Sequence, residues 1–290
     1  MLPRRFNLHR PDRIEDAVGL LARYGDEASP YAGGTELLIA MKARVLSYAH
    51  IVDLKGIADL RGVSARSDGG LIIGALSTHH ELANNVLVRE RLPAYAALSA
   101  NVANVRVRAT GTLGGNLCFA EPHADPPAML CALNAELVLA SPSGERRLPL
   151  SEFLLGELST ARATDEVLVR IEVPGLPAGA RAGYRAFGHL ERPAVGVAAV
   201  AVPMGEGYEW RLRVGSICGR PTALPGLEQA MRGLPSADAL AALAEGAEQA
   251  AAEVEADDDI RGSAEYKRHL VGVLARRAAR SALGMEAIAA

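Results

Sequence analysis

"YAGGTELLIAMKAR", Tyr31 to Arg44, and "GTLGGNL", Gly111 to Leu117, decide how this chain reads. Each places a glycine pair beside hydroxyl or amide side chains. Glycine populates φ > 0 without steric cost, so successive backbone N–H groups can point one way and cradle an anion. It also lets a phosphate approach the backbone with no Cβ between them. Thr35 and Thr112 add hydroxyls, and Asn116 adds an amide. A glycine pair is equally the signature of an ordinary turn. The residues alone leave two readings open: a pair of pyrophosphate-binding loops, or two structural turns. No GxGxxG follows a strand and no GxxxxGK[ST] occurs, so a Rossmann or P-loop site is excluded.

Outward from the first loop, "DRIEDAVGLLARYG" spaces Ile14, Val18 and Leu21 as one helical face, with Asp12 as N-cap and Gly25 as the stop. "HIVDL", "LRGVSAR" and "LIIGAL" read as strands, and "THHELANNVLVRERLPAYAALSANV" as helical pieces broken at Pro93. Beyond the second loop, "AELVLASPSGERRLPL" predicts a hairpin and "DEVLVRIEVP" a strand. "PGLPAGARAG" is dense in Pro and Gly and predicts a linker. "PAVGVAAVAVPM" and "EWRLRVGSIC" read as strands, and two helical stretches close the chain. In the last, Tyr266, Leu270, Val273 and Leu274 share a face, with basic residues opposite.

The 290 residues are 49% apolar and 22% charged, with a formal net charge of -3, which gives no bias toward nucleic acid or an anionic membrane. No apolar run reaches the ~18 residues that cross a bilayer, and no signal-type segment follows the early arginines. The expected location is the cytoplasm. Cys118, Cys131 and Cys218 form no CxxC pair, which argues against a disulfide framework and against a metal or iron–sulfur site built from this chain alone.

The two loops, in this order and at this separation, resemble those of the flavin-binding medium subunits of molybdenum hydroxylases, the xanthine dehydrogenase and carbon monoxide dehydrogenase medium-subunit family. The resemblance also covers "FNLHRPDRIEDAVGLL", "IVDLKGIADLRGV", "LIIGALSTHHELA", "EVLVRIEVP" and "SAEYKRHLVGVLARRA", and so nearly the whole chain. It implies an α+β fold: a two-lobed FAD-binding domain of the PCMH/vanillyl-alcohol-oxidase type, then a C-terminal α+β domain with a small antiparallel sheet and helices. The implied bounds are 1–176 for the first, with lobes of about 1–56 and 57–176, and 181–286 for the second.

The resemblance further implies noncovalent FAD. Carried over by motif, the first loop supplies Tyr31, Ala32, Gly33, Gly34, Thr35, Glu36 and Leu37, and the second supplies Thr112, Gly114, Gly115 and Asn116, with Ala103 nearby. Asp125 in "PHADPPA" matches an aspartate expected on ribityl or ribose hydroxyls, and Leu168 a leucine expected against the isoalloxazine ring. The implied function is electron transfer. A large partner carries the molybdenum cofactor, a small partner carries [2Fe-2S] clusters, and this chain passes electrons through FAD to an acceptor, in a dimer of heterotrimers. No catalytic or metal-binding residue is expected on this chain, and the substrate site lies on another chain.

Xanthine dehydrogenases carry a lysine near the flavin ring in the segment matching "YRAFGHLERPAV"; here Gly188 takes that place, with Arg185 and His189 beside it. His79 and His80 read as a helix start, one buried and one solvated, and His123 as a polar group near the cofactor. Cys118 reads as a buried thiol, and Asp257 to Asp259 as a solvated helix end. Two other readings are a self-sufficient flavin reductase or oxidase like the UDP-N-acetylenolpyruvoylglucosamine reductases, and a nonenzymatic nucleotide-binding protein. Against the former, the chain shows no acid–base set of its own.

Overall fold

The computed structural model describes residues 3–189 and 192–285. Strands β1 (Asn7–His9), β2 (Ala28–Tyr31) and β3 (His50–Asp53) form a parallel sheet in the order β1-β3-β2. Helix α1 (Ile14–Tyr24) buries Ala17, Val18 and Leu21. Its N-cap is Arg13 rather than Asp12 and has no side-chain cap; Glu15 and Asp16 in the first turn complement the helix dipole instead. It stops at Gly25, whose φ of 51° favours glycine. Helix α2 (Leu37–Lys42) starts directly after the first glycine loop.

A second, antiparallel sheet has the order β4-β5-β10-β6-β7. It comprises β4 (Val63–Ala65), β5 (Leu71–Gly74), β6 (Glu136–Ser141), β7 (Gly144–Pro149) and β10 (Val167–Val173). The expected hairpin is β6–β7. Between β5 and β6 run α3 (His79–Asn84), α4 (Val86–Arg91), α5 (Pro93–Asn101), α6 (Val105–Thr110), α7 (Leu113–Phe119) and α8 (Pro126–Ala132). Thr78 and Glu81 make a capping box for α3, and Pro93 is the first residue of α5, which explains the break there. Between β7 and β10 lie α9 (Leu150–Phe153) and a short hairpin, β8 (Leu154–Gly156) and β9 (Ser159–Thr160). Val18 and Leu21 of α1, Val52 of β3, Ala140 of β6 and Val167 and Val169 of β10 share one core cluster. The first sheet is thereby welded to the second.

The third sheet, β11 (Arg181–His189), β12 (Arg192–Met204), β13 (Gly207–Gly215) and β14 (Thr222–Ala223), is antiparallel in chain order. Helices α10 (Pro225–Met231), α11 (Ser236–Ala252) and α12 (Ala264–Ala282) follow. β12 reads as a continuous apolar run because both its faces are covered. Val195, Val197, Ala199 and Ala201 join the core that holds the C-terminal helices, while Ala198, Val200 and Val202 join the core of the second sheet. Alternation with period 2 thus fastens the C-terminal sheet to the rest. The α+β architecture expected from the family resemblance is the one found.

The face of α12 is rotated from the expected one. Leu270 and Leu274 are buried, but so are Lys267, Val271, Ala275, Ala278 and Ala279, while Tyr266 is 42% exposed. The helix is clasped between α11 and the strands β11 and β12, so its apolar surface is wider than one stripe. Among the described residues, no helix is long and apolar enough to cross a membrane.

Candidate functional site

One cleft of about 610 Å³ gathers both glycine loops. Every residue anticipated from the sequence lines it, from Ala32 through Leu37, with Ala103, Thr112, Gly114, Gly115, Asn116, Asp125 and Leu168, except Tyr31. The Tyr31 ring lies under Gly34, and the Lys55 ammonium sits 3.7 Å from its centroid. It supports the loop from behind.

The loops touch backbone to backbone. A Cβ on Gly33 would land on the Thr110 carbonyl and 2.9 Å from the Gly111 Cα. Gly34 has a φ of 73°. Gly33 and Gly34 are therefore required by the fold of the two loops.

The loops differ in what they offer. In the second, the Leu113 N–H donates to Ser77, Gly114 to Ala75 and Asn116 to Thr112, all to carbonyls, and Gly115 donates to the Thr112 hydroxyl at 3.1 Å. Thr112 is the N-cap of α7. The Leu113 and Gly114 amides thus hold the loop to the segment between β5 and α3, those of Gly115 and Asn116 close its own turn, and the loop presents side chains. In the first, the N–H groups of Gly33, Gly34, Thr35 and Glu36 have no hydrogen-bond partner among the described residues. Unpaired donors on a cleft wall suit an anionic group. Asn116 adds an acceptor, for its Oδ1 is buried without a partner among the described residues. These observations fit a dinucleotide, and the volume is that of a ligand site.

The rest of the wall comes from afar. Leu168 sits at a bulge in β10, between Leu168 and Arg170, and is buried. Ala103 takes φ 41°, and the Arg108 guanidinium fastens that turn through the Val102 and Ala103 carbonyls at 3.0 and 2.8 Å. Leu158, Ser159 and Thr160 of the β8–β9 hairpin also line the cleft. Nothing in their sequence signals it.

A chain of charges crosses the cleft and runs into the C-terminal part. Arg192 reaches Glu36 at 3.0 Å and Glu121 at 3.1 Å; His123 pairs with Glu121 at 3.1 Å and Asp259 at 3.3 Å; Asp259 meets the buried Lys267 at 2.9 Å. Burial raises the Glu36 carboxyl above its usual range against the pull of Arg192. Burial also acts on Glu121, but bonds from His123 and the charge of Arg192 outweigh it and hold that carboxyl low. Burial would raise Asp259 too, yet Lys267 and the Arg261 backbone N–H bring it down to about 2. Asp257 to Asp259 are thus no simple solvated end: the Asp257 carbonyl also accepts from Lys267.

His79 is buried and His80 exposed, as expected. Burial, with Arg108 adding to it, lowers His79 to about 4, so it is neutral, and its Nδ1 has no partner among the described residues. Cys118 is half-buried on the cleft wall, and desolvation lifts its thiol to about 11, so it is held as the thiol. Asp125 accepts from the Tyr184 hydroxyl at 2.7 Å. The side chain of His189 lies outside the described residues. Among the described residues, no group of three or more His, Cys, Asp or Glu could hold a metal.

Residues 4–176 match the model of the FAD binding domain in molybdopterin dehydrogenase, and residues 189–282 that of the CO dehydrogenase flavoprotein C-terminal domain. The chain is 33% identical over 285 residues to the carbon monoxide dehydrogenase medium chain of Hydrogenophaga pseudoflava, covering 97% of this chain and 98% of that one. It is 29% identical over 276 residues to a xanthine dehydrogenase FAD-binding subunit of Escherichia coli O157:H7, covering 93% of each. A solved structure of carbon monoxide dehydrogenase from Hydrogenophaga pseudoflava superposes with a TM-score of 0.91 at 32% identity, covering 99% of this chain and 100% of that chain. This chain belongs to the family anticipated from its paired loops: it is a FAD-binding medium subunit of the molybdenum hydroxylases, and so an oxidoreductase subunit.

Proposed function

We propose that this chain carries noncovalent FAD in the cleft as the electron-transfer subunit between partner [2Fe-2S] clusters and an external acceptor. A large partner bearing the molybdenum cofactor and a small partner bearing the clusters complete the enzyme, as a dimer of heterotrimers. Bound FAD supplies redox chemistry in one- and two-electron steps, and the protein supplies binding and orientation. The unpaired N–H groups of Gly33 to Glu36 hold the pyrophosphate, Asp125 accepts from sugar hydroxyls, and Leu168 packs on the isoalloxazine. Asn116 and Thr112 line the opposite wall. The single observation that carries this reading is the first loop, a run of unpaired backbone donors on a cleft wall.

The domain division we propose follows the sheets. A FAD-binding domain spans 1–176, with lobes of about 1–56 and 57–176, and a C-terminal domain spans 181–286. In support, the parallel sheet ends at Asp53, the second sheet runs from Val63 to Val173, and the third starts at Arg181. Residues 1, 2 and 286 lie outside the described residues.

The test is purification of the full chain alone and with its genomic neighbours. Alone, it should yield one FAD released by acid, a plain flavin spectrum and iron near zero. Cys118, Cys131 and Cys218 are free and cannot supply the about four thiolates of a cluster. Stoichiometric iron and sulfide in the lone chain, or a flavin that acid does not release, would overturn the proposal. Partners carrying molybdenum and iron should copurify when coexpressed.

A further inference from the structure

Asp125 stands in an odd position for an aspartate before a helix. It precedes α8, where a carboxylate ordinarily caps the N–H groups of the first turn. Here the next two residues are Pro126 and Pro127, which have no N–H, and the side chain makes no cap bond. The sequence thus removes one of the carboxylate's usual local partners, and the Ala128 N–H that remains is not used. Its Oδ1 is taken instead by the Tyr184 hydroxyl at 2.7 Å, from β11 in the C-terminal sheet, 59 residues away. No other side chain donates to this carboxylate among the described residues.

The approach is built in. A Cβ at Gly196, on the neighbouring strand β12, would collide with the Tyr184 hydroxyl. α8 itself lies close on the sheet, where a Cβ at Gly215 would come 2.9 Å from that of Ala128. Two glycines on adjacent strands therefore leave room for the phenol and for the helix whose start it holds.

We propose that Tyr184 is a positioning residue for the cofactor: its hydroxyl fixes one oxygen of Asp125 so that the carboxylate is oriented, and kept ionised, as the acceptor for a polyhydroxyl ligand in the cleft. This rests on the reading of the cleft as the FAD site. The C-terminal domain thereby sets the acceptor strength of a group in the FAD-binding domain.

The charge balance supports it. Burial raises Asp125 to about 6, and the Tyr184 bond, with a smaller pull from the Asp125 backbone N–H, opposes that rise. Arg185, next to Tyr184 on β11, bonds the Tyr184 carbonyl. Glu121, His123 and Arg192 pair with one another, and Arg211 and Arg213 bond the Ala132 carbonyl and Glu228. Tyr95 and the Cys118 and Cys131 thiols are kept neutral by burial. Glu152 on α9 and Glu209 on β13 are exposed.

The test uses the full chain and two readouts: FAD affinity from pH 5 to 8.5 by flavin fluorescence, and the Asp125 carboxyl titration by ¹³C NMR of the flavin-free chain, assigned with Asp125→Asn. In the wild type, affinity should fall as pH drops through about 6. Tyr184→Phe should raise the carboxyl midpoint by about one pH unit, a tenfold change in proton affinity, and move the fall in FAD affinity with it. The two proteins should bind FAD nearly equally at pH 8.5. Replacing Tyr184 by 3-fluorotyrosine keeps the ring and strengthens the donor, so both midpoints should move down; this variant decides the matter if the phenylalanine chain does not fold. An unchanged midpoint in Tyr184→Phe or in the fluorotyrosine protein, with Asp125→Asn still weakening FAD, would overturn the positioning role alone. FAD affinity unchanged by Asp125→Asn would overturn the placement of the sugar, and the proposal with it.

Discussion

Arg192, at the start of β12, donates to both carboxylate oxygens of Glu36, at 3.0 and 3.1 Å, across 156 residues of chain. Glu36 ends the loop proposed to hold a pyrophosphate, so an uncompensated carboxylate there would repel the ligand. Arg192 neutralises it.

Arg192→Ala should therefore weaken FAD by about fivefold, the scale of a partly exposed ion pair. Its removal lets the Glu36 carboxyl rise further, because Arg192 is what opposes the effect of burial. Glu36 then protonates more readily in acid, and the defect should shrink as pH falls. Fluorescence titration at two pH values checks both parts. A defect that is the same at pH 5.5 and 8 would show that Glu36 repulsion is not its cause.

Gly33→Ala should separate the loops. The added methyl would meet the Thr110 carbonyl, which is backbone and cannot swing aside. Overpacking of this kind costs about 1–3 kcal/mol. The variant should unfold at lower temperature and purify with little flavin. A full flavin complement and an unaltered melting curve would mean that the loops are not packed as described.

Thr112→Val keeps the shape of the side chain and removes the acceptor for the Gly115 N–H. A lost N-cap costs about 1 kcal/mol, so the urea midpoint should fall. The freed Gly115 amide loosens the turn beside the cleft, and FAD should dissociate faster. Equal dissociation rates in stopped-flow would separate the capping role from the site.

His79→Gln tests an acid sensitivity. Burial depresses His79 from 6.5 to about 4 in the folded chain. The unfolded chain therefore binds the proton more tightly. The stability that the neutral ring allows is complete above pH 6.5 and is lost as pH falls toward 4, a loss of roughly 3 kcal/mol if fully expressed. Urea unfolding from pH 7 to 4.5 should be steeply pH-dependent in the wild type and flatter in His79→Gln. Parallel profiles would place the acid sensitivity elsewhere.

Much of the site is legible in the amino-acid sequence because its chemistry is local. The glycine pairs announce backbone that needs φ > 0 or close approach, a need written in the residue type itself. Helix α1, the β6–β7 hairpin and the break at Pro93 follow from periodicity and from the missing proline N–H. "DPP" even shows that Asp125 lacks part of its usual capping partners, since that depends only on its next two neighbours.

What the tertiary structure alone decided are the contacts between residues far apart in the chain. Which loop keeps unpaired amides depends on the Ser77 and Ala75 carbonyls reaching the second loop and, among the described residues, no acceptor reaching the amides of the first. Tyr31 shares the first loop's motif yet lies behind it, because side-chain direction is set by packing against Lys55. The partners of Glu36 and Asp125, Arg192 and Tyr184, arrive on the C-terminal sheet and leave no trace near the residues they hold. The buried face of α12 includes Lys267 only because Asp259 and the Asp257 carbonyl stand beside it to pair the charge. Sequence records what a residue needs from its neighbours along the chain; burial, pairing and ionisation are set by neighbours in space, which only the packed fold brings together.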